Sequence, residues 1–273
     1  MINKVDNKKP FELFAEKWQN TFPPSKPFIG DLIVFRKLFQ QYKNKGGQKT
    51  KILILGATPE LRDLVAGDQT VVAVADVNKT MIKAMTLLRK KKSREKLIVG
   101  RWQNLPIKEK YDLIIGDAPL NMLDNKDIPD TLNRIARVLK PNGYFLHRTL
   151  LFNPKKKIKA SQAINDWTKG KINIGDFRWQ IEAYSEYRSY NPKTKIDSKR
   201  RLLDNIKQLF DKDLLSQKQY VMFNRYDDDV KMTILQKQEW QKLFKKDFKI
   251  VKTIIPQGRL YCRDMPIHVL RVK

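Results

Sequence analysis

The sequence predicts a doubly wound, mostly parallel α/β sheet, and three observations predict it. Short apolar runs, KILIL (51–55), VVAVA (71–75) and DLIIG (112–116), alternate with segments whose apolar residues recur at helical spacing. The runs are nearly continuous in Val, Ile and Leu, as strands covered on both faces are, and strands that alternate with helices pair in parallel. Gly56 follows the first run, and Asp76 closes the second 20 residues later. This architecture meets its ligands there, at the carboxyl ends of the strands.

KILILGATPELRDL (51–64) reads as a buried strand passing through Gly56 into a helix, with Pro59 suited to the first helical position. TVVAVAD (70–76) is the second strand, and Met81, Ile82, Met85 and Leu88 mark the helix after it. KLIVGRWQNLP (96–106) is a short strand ending in a loop, and KYDLIIGDAPLNML (110–123) a strand ending on Asp117. PDTLNRIARVLKPNG (129–143) has Pro129 near its start, Leu132, Ile135, Ala136 and Leu139 on one face, and a Pro-Asn-Gly stop. YFLHRTLLF (144–152) is the following strand, and residues 248–273 read as two more strands around a loop. At the other end, WQNTFPPSKPF (18–28) is a proline-bent lead-in, and IGDLIVFRKLFQQY is an amphipathic helix covering the sheet or the ligand mouth. The division expected is a helical lead-in over 1–48, a core made of 49–152 and 231–273, and a mainly helical insertion over 153–230.

With 273 residues, 41% of them hydrophobic, the chain can build one large domain or a domain plus an insertion. No apolar run has the length of a signal peptide or a membrane span, so no membrane partner is expected. Cys262 is the single cysteine and His147 and His268 are the only histidines. An internal disulfide is excluded, no metal-ligand spacing exists, and a reducing cytoplasm is the expected setting. The charge is strongly basic, +27, and it is shared along the chain: +13 over 1–150, +6 over 151–230 and +8 over 231–273. Such a surface attracts polyanions, so nucleic acid is one expected partner, and a lysine-rich solvated coat is the other reading. LLRKKKSREK (87–96) and NPKKKIKA (153–160) are its densest runs. Cations gathered around the ligand mouth would favour RNA; an even spread would favour the coat.

Gly56 alone fits a tight turn, and Asp76 alone fits a helix cap. Together, at the ends of the first two strands, they fit an adenosine-type ligand whose ribose hydroxyls meet the carboxylate. The succession LILGATPELRDL, VVAVADVNKTMI, GRWQNLP, YDLIIGDAPLNML and RVLKPNGYFLHR resembles class I S-adenosylmethionine-dependent methyltransferases over about residues 50–150, most nearly a bacterial branch whose glycine loop reads LGATPELR. VLKPNGYF carries most of the specificity. The resemblance implies a Rossmann-like, seven-stranded sheet with an antiparallel last pair and S-adenosylmethionine as cofactor. It puts Leu55, Gly56, Ala57 and Thr58 under the methionine part, Asp76 on the ribose with Val77 beside it, and Trp102 and Gln103 flanking the adenine. Asp117 would lie near the methionine amine and the methyl-transfer centre, and Asn121, on the same segment, is the second candidate catalytic residue. Arg101 stands where the family often has an Asp for the adenine amine, so that contact falls to Gln103 or to backbone groups. The family binds no phosphate, so one glycine beside the small Ala57 suffices for the loop.

The acceptor is less legible, because the sulfonium methyl is already a good electrophile and few protein groups are obligatory. Cytosine C5 chemistry needs a nucleophilic cysteine, usually after a proline, whereas Cys262 follows Tyr261 and reads as a core residue. Amino-group methyltransferases of nucleic acid bases carry Asp/Asn-Pro-Pro-aromatic after the fourth strand, and Asp117-Ala118-Pro119-Leu120 lacks the stacking aromatic. In the insertion, DFRWQIEAYSEYRSYNPKTK (176–195) interleaves Phe177, Trp179, Tyr184, Tyr187 and Tyr190 with Arg178, Arg188, Lys193 and Lys195. Stacked bases would use such a pattern, but Ile181, Tyr184 and Tyr187 at helical spacing read first as the core face of a helix. The insertion is expected to form a lid that selects the acceptor. The reading is a methyltransferase of a small or medium-sized acceptor, ahead of an RNA methyltransferase and of a non-catalytic adenosine-ligand or interaction protein on the same fold.

Overall fold

The computed structural model describes residues 9–44, 47–153, 159–191, 193–223 and 231–273. Two helices lead in, α1 (Pro10–Gln19) and α2 (Ile29–Tyr42). Strands and helices then alternate as β1 (Thr50–Leu55), α3 (Pro59–Val65), β2 (Thr70–Asp76), α4 (Lys79–Leu87), β3 (Glu95–Val99), β4 (Tyr111–Asp117), α5 (Ile128–Val138) and β5 (Leu139–Arg148). β6 (Leu151–Phe152) precedes α6 (Ala160–Thr168), α7 (Ile174–Ser189), β7 (Ile196–Ser198), α8 (Lys199–Asp211) and α9 (Gln217–Val221). β8 (Lys231–Thr233), β9 (Leu235–Gln236), α10 (Lys237–Asp247), β10 (Phe248–Ile254) and β11 (Ile267–Val272) follow.

The main sheet is 7-stranded, in the order β10-β11-β5-β4-β1-β2-β3. Its β3, β2, β1, β4 and β5 run parallel, while β11 is antiparallel to β5 and β10 to β11. This is the doubly wound sheet with an antiparallel last pair that the sequence predicts. Because side chains alternate along a strand, each buried run feeds two layers. Leu53, Leu55, Ala73, Ala75, Ile114 and Phe145 pack under Ile135 of α5 and Trp240 and Phe244 of α10. Ile52, Ile54, Val72, Val74, Leu113 and Leu146 pack on the other side, under Phe35 and Leu38 of α2 and Leu61 of α3. The α2 helix therefore covers the sheet, one of the two roles expected for it.

One boundary differs from the sequence reading. The helix expected over 129–143 ends at Val138, and Leu139–Gly143 already belong to β5. Gly143 lets the strand turn in tightly against β4: a Cβ there would meet Leu139 Cδ2 at 2.9 Å and the carbonyl oxygens of Tyr111 and Asp112 at 3.0 and 3.1 Å. The Pro-Asn-Gly stop is thus a strand entry, with a register shift between Tyr111 and Leu113 on the partner strand. At its far end β5 stops at Arg148, and Leu151–Phe152 leave the main sheet to pair with β9.

Between α6 and α9 the helices share a core of their own, with Ala163, Phe177, Ile181, Leu202, Ile206 and Phe223 at its centre. The expected amphipathic helix is α7: Phe177 and Ile181 are buried there and Tyr184 packs beside them. The side chains of Tyr187 and Arg188 lie outside the described residues, as does most of the 153–160 basic run. The 87–96 run is mostly the loop between α4, which ends at Leu87, and β3, which begins at Glu95. Glu95 instead pairs with the buried Arg62 and with Arg89, at 2.5 and 3.0 Å. Cys262 is buried, as expected. Among the described residues no helix is long and apolar enough to cross a membrane.

Candidate active site

A cavity of about 720 Å³ opens over the carboxyl ends of β1 to β5. Leu55, Gly56, Ala57 and Thr58 form its floor where β1 turns into α3. Gly56 has φ +83°, the left-handed region that favours glycine, and a Cβ added to it would meet nothing within 4 Å. The loop is therefore held by conformation, and the space over it is free for a ligand. Pro59 begins α3, as its rigid φ suits. Glu60, in the first turn of α3 where a carboxylate complements the helix dipole, also accepts the indole N–H of Trp18 at 3.1 Å. That bond draws the end of α1 to the cavity, where Trp18 forms part of the wall.

Asp76 closes β2 and its Oδ1 accepts the backbone N–H of Asn78 at 2.8 Å. Burial raises its pKa, and the amides of Asn78 and Val77 partly offset this. The next loop is tied to the same strand end: Gly100 N–H donates to the Asp76 carbonyl at 3.0 Å, and the indole of Trp102 donates to the Ala75 carbonyl at 2.9 Å. Trp102 is thereby fixed beside Asp76. Val77, Arg101 and Gln103 line the same cavity, with Val77 and Arg101 on its exposed side.

Asp117 ends β4 and is held by an arginine the sequence reading did not single out. Arg148, at the end of β5 and 1% exposed, donates from Nε to Asp117 Oδ1 at 2.5 Å, from Nη1 to Asp31 Oδ2 at 2.6 Å and from Nη2 to the Pro24 carbonyl at 2.8 Å. One guanidinium thus fastens the lead-in and the start of α2 to the strand ends. Burial raises the pKa of Asp117 against the opposing pull of Arg148. For Asp31 burial is again the largest cause, Arg148 opposes it, and the pKa is pushed up to about 6. After Asp117 the chain turns through Ala118 at φ 51°, a left-handed conformation costing roughly 1–2 kcal/mol for a residue with a Cβ. Such strain gathers at functional sites. Gly116 makes room for the turn, since a Cβ there would meet Pro119 Cγ at 2.6 Å.

Asn121 is 0% exposed and its amide is committed to backbone. It donates to the carbonyls of Leu150 and Thr233, at 3.0 and 2.8 Å, and accepts from Leu150 N–H at 2.9 Å. The geometry makes it a tie between chain segments rather than a reacting group. The structure adds wall residues that sequence reasoning missed: Trp18, Pro24 and Ser25 from the lead-in, and Trp179, Glu182, Met232 and Met265 from beyond β5. Their one sequence-level signal is Arg148 itself, a charge at the end of an apolar strand that needs a partner once buried. The charge of the chain is not carried inside. The wall holds Asp76, Asp117, Asp124, Asp127 and Glu182 against Arg101 and Arg148. Among the described residues no group of His, Cys, Asp and Glu is placed to hold a metal ion.

Residues 56–143 match the family model of a methyltransferase domain. No curated protein sequence matches the chain. Among solved structures, an S-adenosylmethionine-dependent methyltransferase from Clostridium acetobutylicum superposes with a TM-score of 0.56 at 12% identity, covering 97% of this chain and 99% of its own. The N-methyltransferase NodS from Bradyrhizobium japonicum, in complex with S-adenosyl-L-homocysteine, gives 0.50 at 11% identity, with 97% and 99% covered. A protein from Rhodobacter sphaeroides described as a zinc-dependent alcohol dehydrogenase gives 0.60 at 10% identity, with 95% and 98% covered. At these identities the likeness is one of fold. The fold is that of the class I S-adenosylmethionine-dependent methyltransferases, and the matched segment carries the strand ends from Gly56 to Asp117.

Proposed function

We propose that the protein is an S-adenosylmethionine-dependent methyltransferase acting on a small or medium-sized acceptor. The observation that carries this reading is that Gly56, Asp76, Trp102 and Asp117, from four separate loops, meet in one cavity. The residues fit the cofactor. The open space over Gly56 admits a ligand against backbone, the Asp76 carboxylate can accept from a pair of ribose hydroxyls, and the Trp102 ring is a fixed wall beside it. When bound, S-adenosylmethionine supplies a methyl group on a sulfonium, which an acceptor atom takes by in-line displacement as the C–S electron pair leaves with sulfur. The chain's own part is to bind, orient and exclude water. The apolar wall supports a small acceptor: Trp18 and Pro24 of the lead-in and Trp179 and Met232 from beyond β5 border the site. Its carboxylates also oppose a phosphate backbone, so the +27 reads as a surface coat.

Calorimetric titration with S-adenosylhomocysteine tests the cofactor assignment. Asp76→Ala is expected to weaken binding by roughly 2–3 kcal/mol, the loss of hydrogen bonds to a charged acceptor, or about 30- to 150-fold. Equal affinity in the variant, or no binding by the native protein, refutes it.

A further inference from the structure

Most positions assigned to the cofactor lie at the ends of β1, β2 and β3, with Asp117 of β4 where the methionine part meets the methyl-transfer centre; the rest of the wall, at the ends of β4 and β5, is left for the acceptor. That end is apolar and polarisable, with Trp179 of α7, Met232 of β8, Met265 and Leu150 on it. Its polar side chains are Asp117 and Glu182, each ion-paired to an arginine, Arg148 and Arg178, and Asn121, whose amide is committed to backbone. The one cation there among the described residues is Arg148, and each of its three nitrogens already donates, to Asp117, Asp31 and the Pro24 carbonyl. A carboxylate or phosphate entering this end would lie against Asp117 and would have to share a guanidinium that two carboxylates already engage.

We infer that the methyl acceptor is an apolar amine, held with its carbon skeleton among Trp179, Met232 and Met265 and its nitrogen at Asp117. The inference rests on the methyltransferase reading and names the substrate class of the same site. Asp117 is suited to it: Oδ1 takes the Arg148 hydrogen bond, and Oδ2 makes none among the described residues while the side chain borders the cavity. An amine that donates its N–H to Oδ2 keeps its lone pair for reaction. Burial raises the proton affinity of this carboxylate, which favours its taking that proton when the nitrogen gains its new substituent. Indole faces attract ammonium groups, and unbranched methionines adapt to differently shaped apolar bodies. The basic exterior is a weak barrier to one small cation, because exposed charge is screened over about 8 Å at physiological salt.

The test compares 2-phenylethylamine with 3-phenylpropionate, similar in size and opposite in charge, titrated into the full chain saturated with S-adenosylhomocysteine. The amine is expected to bind at least tenfold more tightly. Met232→Arg, which puts a cation on the acceptor wall without touching a hydrogen-bonded group, is expected to cut that ratio tenfold or more. The variant's affinity for S-adenosylhomocysteine, expected within twofold of native, checks that it folds. Equal or tighter binding of the carboxylate to the native protein overturns the inference, as does a ratio that Met232→Arg leaves unmoved, or methyl transfer to a mixed RNA pool. If S-adenosylhomocysteine binds while the amine does not, the acceptor class alone falls. If S-adenosylhomocysteine does not bind the native protein, the cofactor reading falls with it.

Discussion

Replacing Arg148 by methionine is expected to cost the fold about 3–5 kcal/mol, the usual penalty for removing one member of a buried ion network and leaving the others uncompensated. The side chains of Asp31 and Asp117 are 1% and 5% exposed, and Arg148 is the only partner of their ionised forms that is itself charged among the described residues. Methionine fills similar volume, so little of the loss comes from an empty space. Without the guanidinium both carboxylates bind protons more readily, and protonation removes the buried charge that destabilises the variant. The deficit is therefore largest near pH 8 and shrinks toward pH 5, with Asp31 titrating first because burial already holds it at about 6. Urea denaturation of both proteins at pH 8 and pH 5 measures this. A variant within about 1 kcal/mol of native at pH 8 would show that the network is not what holds the lead-in to the strand ends. Asp31→Asn combined with Arg148→Met should recover part of the loss, since the pair is coupled.

That network marks where the sequence stops being readable. Gly56 and Asp76 are legible because their meaning is local: each follows an apolar run, and the sheet then brings the ends of neighbouring parallel strands together. The alternate faces of β1, β2 and β4 are legible for the same reason, since a period of two needs only neighbours. Arg148 binds Asp31 and Pro24 across 117 and 124 residues, and no spacing rule joins a strand end to a lead-in. Asn121 is a candidate reacting group by its place after β4, but its amide holds Thr233, 112 residues away. Composition fails in another way. A net charge of +27 describes the whole chain, while the cavity wall selects carboxylates from it.

The insertion shows how a correct period still leaves a face unread. Helical spacing along α7 finds Phe177 and Ile181, which face the core shared with α6 and α8. The same helix also buries Trp179 and Ala183 against Tyr261, Met265 and Leu150, so it is apolar on a second side that one amphipathic stripe does not reveal. That second side brings Trp179 and Glu182 to the cavity wall. The VLKPNG segment fails for a different reason: it has the residues of a helix stop, and Gly143 instead serves a close approach between strands.

The histidines carry the second large effect, in the response of stability to acid. His147 and His268 are register partners across β5 and β11, with ring centroids 5.5 Å apart and Phe244 packed on both. Each Nδ1 meets a hydroxyl, Thr149 at 2.9 Å and Thr253 at 3.0 Å, and each Nε2 is buried with no hydrogen-bond partner among the described residues. A proton added to either ring would be a buried cation without an acceptor. Burial, with Lys237 adding repulsion, holds His268 at about 4, and burial with His268 beside it holds His147 well below its ordinary value. The unfolded chain takes up these protons near pH 6.5, whereas the folded chain protonates His268 only near pH 4 and His147 well below its ordinary value, so stability falls as pH drops below about 6.5. Asp31 acts with the opposite sign between about 3.8 and 6, because its raised pKa makes the folded state the better proton binder. The native profile alone therefore mixes the two contributions. The difference between His268→Leu and native isolates the histidine: from pH 7.5 to pH 4.5 it should move by roughly 2–3 kcal/mol in favour of the variant. Urea midpoints at the two pH values read it directly. A difference that stays constant across that range would mean that His268 is protonated as easily in the fold as out of it, and the buried pair would then need an acceptor that its surroundings do not supply.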